Sequence, residues 1–555
     1  MTHLEDISVL IVEASPGMRA QLRTLLGGAH ISKQTFVASA LAAVDKLRTQ
    51  RFDLILCEYA LGDGQDGQHL LEDLRTRQII PLDTVFIMIS SERNYERVIG
   101  AAELAPNDYI LKPLTPGTLY ARLERAFARR EVLLPVHQLM EAGNLPEAAE
   151  LCQQAQQGAP RHWTQFMRLR AQLLEELGRT DEAEAAYREV LELKPAPWAH
   201  LGLARMLFAN RQLDAAEATL ESLIGENPDY IDAYDWLARV RQEAGHLEQA
   251  QFTLASALER SPHRISRLRH LGEVALATGD FVAAEQALAE VVRKGKHSAF
   301  RDPEDHVRLV KAQLIQKHIP DATATIRDLE QSSPDRPEAT ACCAYSHALL
   351  CASTGNDEGA RVALREATDA CREATSMPPS FKHEVAQACL DHRLEAEGSE
   401  LIADLLRSAP DSETAETIRH SLKARGRADL STRIEEKLHN EVKEYIAAGA
   451  ARAHAGDYDG AVREMMHAVR KMPGNPHVLF NAALALLRHM EENGWNERFA
   501  ARARTLIAHC RKVAPDHPRL DAITNLLHSL MARYGIHAET VPVPIQPLKP
   551  DQFLE

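Results

Sequence analysis

The sequence predicts an α/β domain built on a doubly wound, five-stranded parallel sheet, followed by an all-α solenoid of helix–turn–helix repeats. Five short apolar runs alternate with amphipathic segments in the first 130 residues. Beyond them, small residues, Gly and Pro recur at steps close to 34 residues. A chain of 555 residues is also too long for one hydrophobic core. We therefore expect at least two structural units.

The five strand-like runs predict where a ligand site would lie. They are SVLIV (8–12), TFVAS (35–39), FDLILC (52–57), TVFIMIS (84–90) and DYILK (108–112). Amphipathic, helix-like segments follow them at 16–26, 40–50, 68–76, 95–104 and 116–130. Strands that alternate with helices form parallel sheets. Such sheets bind ligands at the carboxyl ends of their strands, which here carry carboxylate, hydroxyl and ammonium groups.

Four motifs make residues 6–128 resemble the receiver domain of bacterial two-component response regulators. The motifs are VLIVEASPGMR, FDLILCEYALGDGQDG, FIMISSE and NDYILKPLTP. The resemblance implies a flavodoxin-like fold with a phosphoacceptor site. In that family two acids after the first strand help to hold Mg²⁺, and an Asp ending the third strand accepts a phosphoryl group. A Ser or Thr, an aromatic residue and a Lys-Pro pair complete the pocket.

The resemblance assigns three of these places to matching residues. Ser90 takes the hydroxyl place, Tyr109 the aromatic place and Lys112 the lysine place. The peptide between Lys112 and Pro113 is then the one expected to be cis. These residues form the expected switch pocket, together with those at the acid places.

The acid places do not match the family pattern. Glu13 holds the first place of the acid pair, Ala14 the second, and Glu58 the phosphoacceptor place. Mg²⁺ requires near-ideal octahedral oxygen geometry at about 2.0–2.1 Å, and Ala14 removes one carboxylate ligand. Glu58 is one methylene longer than Asp, and a misplacement of about 1 Å can cost about 10²-fold in rate. We expect no phosphotransfer and no cofactor, Mg²⁺ included.

Two hypotheses explain a Glu at position 58. In the first, its longer reach and negative charge imitate a phosphorylated Asp. Glu58 then pairs permanently with Lys112 and Ser90, and the domain no longer switches. In the second, the residue at position 58 has changed by drift in a pocket that no longer functions, and Glu58 does not hold the domain in any particular state.

Residues 140–476 carry an internal repeat. Its unit is a Gly, an Ala five residues later and a Pro twelve residues after that Ala. The regular sets are Gly143, Ala148 and Pro160; Gly178, Ala183 and Pro195; Arg211, Ala216 and Pro228; Gly245, Ala250 and Pro262; and Gly279, Ala284 and Lys296. Looser sets are Lys317, Ala322 and Pro334; Gly355 and Ala360; Arg393, Gly398 and Pro410; and Gly456, Ala461 and Pro473. The pattern resembles the tetratricopeptide repeat, strongly over 140–298 and 449–476 and less regularly over 299–411.

The residues inside each unit have packing roles. The first helix carries a small residue, at Ala171, Ala204, Ala238 and Gly272. The second helix carries a large one, at Tyr187, Leu220, Leu254 and Leu288. Small residues let paired helices approach closely, Gly ends the first helix in a left-handed conformation, and Pro stops the second. Because each unit contacts only its neighbours, we expect a curved solenoid with a concave groove.

The sequence divides into five expected segments. They are a receiver domain at 1–130, tetratricopeptide repeats at 131–298, degenerate repeat-like helices at 299–440, a last repeat with closing helices at 441–535, and a Pro-rich tail at 536–555. Within them, 412–440 is interpreted as either a degenerate unit or a hinge. Residues 477–534 are interpreted as a closing helical pair.

Four arginines occupy places that face the groove in tetratricopeptide repeats: Arg168, Arg205, Arg239 and Arg269. A row of arginines inside an acidic region predicts a site for an acidic or carboxylate-bearing peptide. The alternative is a solvated face with intrahelical ion pairs.

Composition narrows the function classes. The net charge of −15 lies almost entirely after residue 130, which disfavours a nucleic-acid partner.

None of the eight cysteines forms CxxC and no Cys/His set has zinc spacing, so no metal site is expected. No P-loop, GxGxxG or nucleophile–base pair stands in a suitable place, so no catalytic residue is expected. The N-terminus lacks a basic signal-peptide region and no apolar run reaches 18 residues, so we expect a cytoplasmic protein without a membrane partner.

The sequence therefore predicts a non-enzymatic signalling adaptor of a bacterial two-component pathway. Its output would pass through protein contacts made by the repeats. A histidine kinase or a second copy of the chain is a further expected partner, bound by the receiver face at 95–130. Two alternatives stay open: a genuine phosphorelay regulator switched by a histidine kinase, and an assembly scaffold for a surface or secretion machine.

Overall fold

The computed structural model describes most of the chain. The described residues are 4–61, 66–91, 106–158, 162–262, 264–296, 301–332, 336–374, 376–409, 412–514 and 519–536. The predicted helix at 95–104 and the tail from residue 537 onward lie outside them. The chain forms two compact units, Met1–Arg327 and Asp328–Glu555.

The first unit begins with the predicted five-stranded parallel sheet. Its strands are β1 (Ser8–Val12), β2 (Lys33–Val37), β3 (Leu54–Glu58), β4 (Val85–Ser90) and β5 (Asp108–Leu111). They lie in the order β2-β1-β3-β4-β5, with every pair parallel. The described helices that cover the sheet are α1 (Pro16–Gly28), α2 (Ala40–Thr49), α3 (Gly67–Thr76) and α4 (Pro116–Glu141). This order confirms the doubly wound fold and brings the ends of β1, β3 and β4 side by side.

Two apolar layers hold the helices to the sheet. Alternate side chains of β1, β3 and β4 pack against α2 and α3 on one face and against α1 and α4 on the other. Both faces of the central strands are therefore buried, and Leu54, Ile55 and Leu56 are inaccessible to solvent. This burial explains why these strands are continuous apolar runs in the sequence.

The rest of the first unit is helical. Its helices are α5 (Leu145–Gly158), α6 (Trp163–Glu176), α7 (Thr180–Leu193), α8 (Pro197–Ala209), α9 (Leu213–Glu226), α10 (Asp232–Glu243), α11 (Leu247–Arg260), α12 (Ile265–Thr278), α13 (Phe281–Gly295) and α14 (Pro303–Ile315), with α15 (Ile319–Ser332) running past its end. Each helix contacts mainly the one before it and the one after it. Nearest-neighbour packing of this kind is what a stack of helix–turn–helix repeats requires.

Helix α4 crosses the boundary that was predicted at residue 130. The predicted helix ended there, but α4 continues to Glu141. Residues 131–142 contain no Gly or Asn that could cap the helix, and Pro135 lies inside α4 without ending it. Beyond the sheet, Leu133 and Val136 pack in one apolar cluster with Cys152 of α5. The sheet domain and the first repeat therefore share one helix.

Arg130 anchors this shared helix to the sheet domain. Its Nη2 lies 3.1 Å from Oδ1 of Asp53 and 2.6 Å from Oδ2 of Asp83. Asp53 also accepts hydrogen bonds from the amide and the hydroxyl of Ser8, at 2.9 and 2.8 Å. Burial acts to raise the pKa of Asp53, but the bonds from Ser8 and Arg130 outweigh it and hold this pKa below its usual value.

The variant Asp53→Asn is expected to destabilise the sheet domain at neutral pH by about 1 kcal/mol, a value discounted for partial exposure. Because the folded-state pKa of Asp53 is lowered, its stabilising effect is complete above the unfolded-state pKa and is lost as the pH falls through the folded-state value. The penalty should therefore shrink at acid pH. Hydrogen exchange of the β1 and β3 amides in the intact chain measures it, and an equal penalty at every pH would contradict this assignment.

The repeat positions have the predicted conformations. The Ala of each set is buried, as seen for Ala148, Ala183, Ala216, Ala250, Ala284, Ala322, Ala360 and Ala461. The Gly of each set lies in the left-handed region, as seen for Gly143, Gly178, Gly245, Gly279, Gly355 and Gly456. Three units have another residue in the Gly place, with positive φ angles at Arg211 (60°), Lys317 (63°) and Arg393 (62°). The repeat geometry therefore imposes this turn even on residues that disfavour it.

Replacing Lys317 by Gly is expected to stabilise the helical part by about 0.5–1 kcal/mol. A left-handed conformation costs a non-Gly residue about 1–2 kcal/mol, and the greater freedom of Gly in the unfolded chain offsets about 0.5–1 kcal/mol of the gain. Thermal unfolding of the intact chain measures the change. Lys296→Gly is the matched control, because Lys296 has a φ of −54° and gains nothing from Gly. Equal melting temperatures for Lys317→Gly and the wild type would refute the argument.

Small residues make room between helices, as predicted. A Cβ atom added to Gly272 on α12 would lie 2.6 Å from Cγ of Leu288 on α13. One added to Gly202 on α8 would lie 2.2 Å from the ring of Tyr187 on α7. Contacts that short are not possible, so the large residue of one helix occupies the space that the small residue leaves.

The second unit is helical throughout its described residues. After α15 its helices are α16 (Pro337–Ser353), α17 (Asp357–Glu373), α18 (Pro379–Asp391), α19 (Glu395–Ser408), α20 (Ser412–Ala424), α21 (Ala428–His454), α22 (Tyr458–Lys471), α23 (Pro476–Asn493), α24 (Glu497–Val513) and α25 (Leu520–Arg533). The predicted boundary at 440 falls inside α21, so the segment from 428 onward is helix rather than a hinge. The predicted closing pair consists instead of three helices. Gly494, whose φ is 97°, lies between α23 and α24, and a second break separates α24 from α25.

None of the helices that the structure describes is both long enough and apolar enough to cross a bilayer.

Candidate functional site

Four polar side chains come from the carboxyl edge of the sheet. Glu13 follows β1, Glu58 ends β3, Ser90 ends β4 and Lys112 follows β5. Glu13, Glu58 and Ser90 are buried. Parallel strands bring their carboxyl ends to one edge, which is why residues so far apart in the sequence share one place.

Lys112 bridges the two carboxylates. Its ammonium forms an ion pair with Oε2 of Glu58 and lies 3.4 Å from Oε2 of Glu13. All three side chains are mostly removed from water, which strengthens the attraction between their charges. The Lys112–Pro113 peptide is cis, as the resemblance predicts.

Hydrogen bonds hold Glu13 in place, and the neighbouring position 14 has no carboxylate that could bind a metal ion. The amide of Ser15 donates a hydrogen bond to Oε1 of Glu13 at 2.8 Å. The guanidinium of Arg19 donates to the carbonyl oxygens of Glu13 and Ala14, at 2.7 and 2.9 Å. The side chain of Ala14 is only an exposed methyl group. The second acid place of the receiver family is therefore filled by a group that cannot bind a cation.

Glu58 is a buried acid with a cationic partner. The amide of Ala60 donates to Oε1 of Glu58 at 3.3 Å. Burial raises the pKa of Glu58 above its usual value, the Lys112 ammonium and the Ala60 amide act against this rise, and Glu13 adds to it. The pairing with Lys112 that the first hypothesis requires is present. The direct contact with Ser90 stays a prediction, although the carbonyl of Ser90 accepts a hydrogen bond from the amide of Lys112 at 2.8 Å.

Two residues connect the pocket to its surroundings. Tyr109 packs against the apolar layer that contains Cys57 and Met88, and its hydroxyl oxygen is buried. Gly67 begins α3 so close to β3 that a Cβ atom there would lie 2.5 Å from the carbonyl oxygen of Glu58. Helix α3 is therefore packed directly on the strand that ends in Glu58.

The pocket does not fit Mg²⁺. The ion needs several carboxylate, carbonyl or water oxygens in an octahedron at about 2.0–2.1 Å. Here the two carboxylates face the Lys112 ammonium, and position 14 offers a methyl group.

The sheet domain contacts the repeats through α3. The hydroxyl of Ser266 on α12 donates to Oε1 of Glu72 at 2.9 Å, and Nε of Arg264 lies 3.8 Å from the same oxygen. A cavity of about 160 Å³ adjoins this contact, and its walls include Glu72 of α3 with Arg269 and Asp305 of the repeats. The sequence contains no signal for this contact, because it depends on how the two parts of the first unit pack.

The predicted arginine row contains two ion pairs between neighbouring repeats. Arg205 on α8 pairs with Glu175 on α6. Arg269 on α12 pairs with Asp305 on α14, with both guanidinium bonds at 2.6 and 2.8 Å. These two ion pairs join neighbouring repeats, whereas the alternative expects pairs within one helix.

Two tryptophans that the sequence reasoning missed lie beside the row. Arg168 lies over Trp198 at 5.7 Å from its ring centre, and Arg205 and Arg239 lie over Trp236 at 5.2 and 4.9 Å. Arg168 and Arg239 are exposed. Both tryptophans lie on first helices of their repeats, as the arginines do, and this shared position is the signal that could have found them.

Comparisons with known families agree with both resemblances. Residues 9–124 match the model of the response regulator receiver domain. Residues 168–231 and 207–271 match models of the tetratricopeptide repeat. The two families expected from the motifs are therefore confirmed, in the expected order along the chain.

Similar proteins include two curated relatives and one solved structure. Chemotaxis protein CheY-3 of Vibrio cholerae serotype O1 is 29% identical over 125 residues, which are 22% of this chain and 95% of the relative. KDP operon transcriptional regulatory protein KdpE of Escherichia coli strain K12 is 34% identical over 123 residues, which are 22% of this chain and 52% of the relative. A tetratricopeptide repeat protein from Parabacteroides merdae is 14% identical, covers 47% of this chain and 98% of its own, and has a TM-score of 0.33. A structural likeness this low carries no argument about function.

Proposed function

A response regulator receiver domain at residues 9–124 is followed by tetratricopeptide repeats, and from this arrangement we propose that the chain is a signalling adaptor of a bacterial two-component pathway. Its receiver holds one fixed state instead of responding to phosphorylation. Its repeats bind partner proteins and supply the output.

The single observation that carries this proposal is the bridge from Lys112 to Glu58 and Glu13. An ammonium group already neutralises the acid in the phosphoacceptor place. A phosphoryl group added to Glu58 would break this bridge and bring further negative charge next to buried Glu13, and the methyl group at position 14 offers no ligand for a compensating metal ion. The bridge from Lys112 to the two carboxylates is therefore the permanent equivalent of the state that phosphorylation would produce.

The arginine row is the proposed partner surface. Exposed Arg168 and Arg239 offer guanidinium groups beside the flat rings of Trp198 and Trp236. Guanidinium groups bind carboxylates with two parallel hydrogen bonds, and the rings add apolar contact area. An extended partner segment that carries Asp or Glu fits this combination.

Two connections make the receiver a fixed support for this surface. Helix α4 continues from the sheet into the first repeat and is held to the sheet by Arg130. Glu72 on α3 accepts a hydrogen bond from Ser266 on α12. A receiver in one state would thereby keep the first repeats in one arrangement.

Affinity capture with the intact chain tests the proposed function. We expect the same proteins to be captured before and after treatment of the bait with acetyl phosphate and Mg²⁺. Charge reversal at both exposed arginines, Arg168→Glu with Arg239→Glu, should remove them. Arg188→Glu is the matched control, because Arg188 is an exposed arginine on the second helix of a repeat, outside the row. Capture that depends on acetyl phosphate, or that survives the double reversal, would overturn the proposal.

A further inference from the structure

Three side chains on two neighbouring helices bring sulfur, nitrogen and oxygen ligand atoms together. Cys343 and His347 lie four residues apart on α16, so they share one face of that helix. Glu330 lies on α15. Oε1 of Glu330 is 2.9 Å from Nε2 of His347 and 3.7 Å from Sγ of Cys343. All three ligand atoms lie within 4.8 Å of one another.

The two distances from Oε1 of Glu330 are close to those of a tetrahedral zinc site. Zn–S bonds of about 2.3 Å, with Zn–N and Zn–O bonds of about 2.1 Å, place sulfur and oxygen about 3.6 Å apart and nitrogen and oxygen about 3.4 Å apart. The sulfur–oxygen distance of 3.7 Å already fits. The nitrogen–oxygen distance of 2.9 Å needs to open by about half an ångström. Side-chain rotation can supply this, because Glu330 and His347 are each nearly half exposed.

We propose that Glu330, Cys343 and His347 bind one borderline-soft divalent cation, Zn²⁺ or an ion of similar preference, and that a water molecule completes its tetrahedral coordination. A thiolate and an imidazole favour Zn²⁺ over Mg²⁺ or Ca²⁺, which prefer oxygen alone. On binding, the Cys343 thiol gives its proton to solvent and the thiolate coordinates the ion. The bound ion holds α15 to α16.

The sequence pattern conceals this site. Metal motifs are usually recognised from two close cysteines or histidines followed by another such pair. Here one pair is Cys-x₃-His within a helix, and the third ligand is a carboxylate thirteen residues earlier that reaches the pair only when α15 and α16 pack together. The sequence-based expectation of no metal site rested on the absence of the usual spacing.

Cobalt titration of the intact, chelator-treated chain tests the proposal. Co²⁺ occupies zinc sites, and a thiolate bound to it gives a charge-transfer band in the near ultraviolet. We expect this band to appear, to saturate at one equivalent and to disappear when Zn²⁺ is added. A second cluster, formed by Glu285, His318 and Asp321, has no sulfur and cannot produce the band. The signal therefore reports only on a thiolate site.

Variants assign the band to its ligands. Cys343→Ser and His347→Ala should each abolish the saturable band. Cys351→Ser should retain it, because Cys351 is a half-buried thiol on the same helix but outside the cluster. Zn²⁺ should also slow alkylation of Cys343 in the wild type while leaving Cys351 unaffected. The proposal is overturned if the wild type shows no band, if the band fails to saturate at one equivalent, or if it survives in either Cys343→Ser or His347→Ala.

Discussion

The double variant Ala14→Asp with Glu58→Asp is expected to accept a phosphoryl group from acetyl phosphate in the presence of Mg²⁺. Asp at position 14 restores the missing metal ligand next to Glu13. Asp at position 58 withdraws the acceptor oxygen from Lys112 and places it where in-line attack can occur. A correction of about 1 Å in this position is worth about 10²-fold in rate, and metal neutralisation of the incoming group adds to it.

Single variants separate the two contributions. Glu58→Asp alone should gain far less than the double variant, because position 14 still offers only a methyl group. Ala14→Asp alone should gain nothing, because Glu58 stays paired with Lys112. Intact mass measured after incubation with acetyl phosphate, with and without Mg²⁺, checks each chain. A double variant as inert as the wild type would show that another feature of the pocket blocks the reaction.

The second large effect is expected at Lys112. Lys112→Ala leaves Glu13 and Glu58 as two buried carboxylates without their shared cation. Breaking a buried ion pair by removing one partner costs about 3–5 kcal/mol, and the partial exposure of Lys112 places the loss near the lower end. Protection of the β1 and β3 amides from hydrogen exchange in the intact chain measures this loss.

The pH dependence of this variant has a definite sign. The pKa of Glu58 is already raised by burial in the wild type. Between the unfolded-state and the raised folded-state pKa the folded chain binds more protons, so stability falls as the pH rises. Without Lys112 this fall becomes steeper, and the variant should approach wild-type stability at acid pH. Glu58→Gln in the Lys112→Ala background should recover part of the loss at neutral pH, and exposed Lys46→Ala is the inert control. A penalty at Lys112 that is independent of pH would contradict the bridge.

The features that sequence predicted well are those set by local chemistry. Buried strands require continuous apolar runs, so β3 and β4 were evident from 52–57 and 84–90. The left-handed turns were expected at the Gly of each repeat, and the structure shows the same turn at Lys317, which stands in the Gly place. The cis peptide at Lys112–Pro113 followed from a family pattern.

The features that sequence missed depend on partners from distant segments. Glu58 was expected to pair with Lys112. The sequence did not predict that Lys112 also lies close to Glu13, because this contact depends on how the ends of β1 and β5 are placed in the folded sheet. Arg269 was identified as a groove residue without its partner Asp305, which belongs to the next repeat. The extension of α4 past residue 130 was not predicted, and it runs through Pro135, a residue type that usually ends a helix.

The intact mass of the wild-type chain decides whether the receiver takes part in phosphotransfer. After incubation with acetyl phosphate and Mg²⁺, the mass is predicted to be unchanged. A gain of one phosphoryl group that requires Mg²⁺ and disappears in Glu58→Gln would contradict the account.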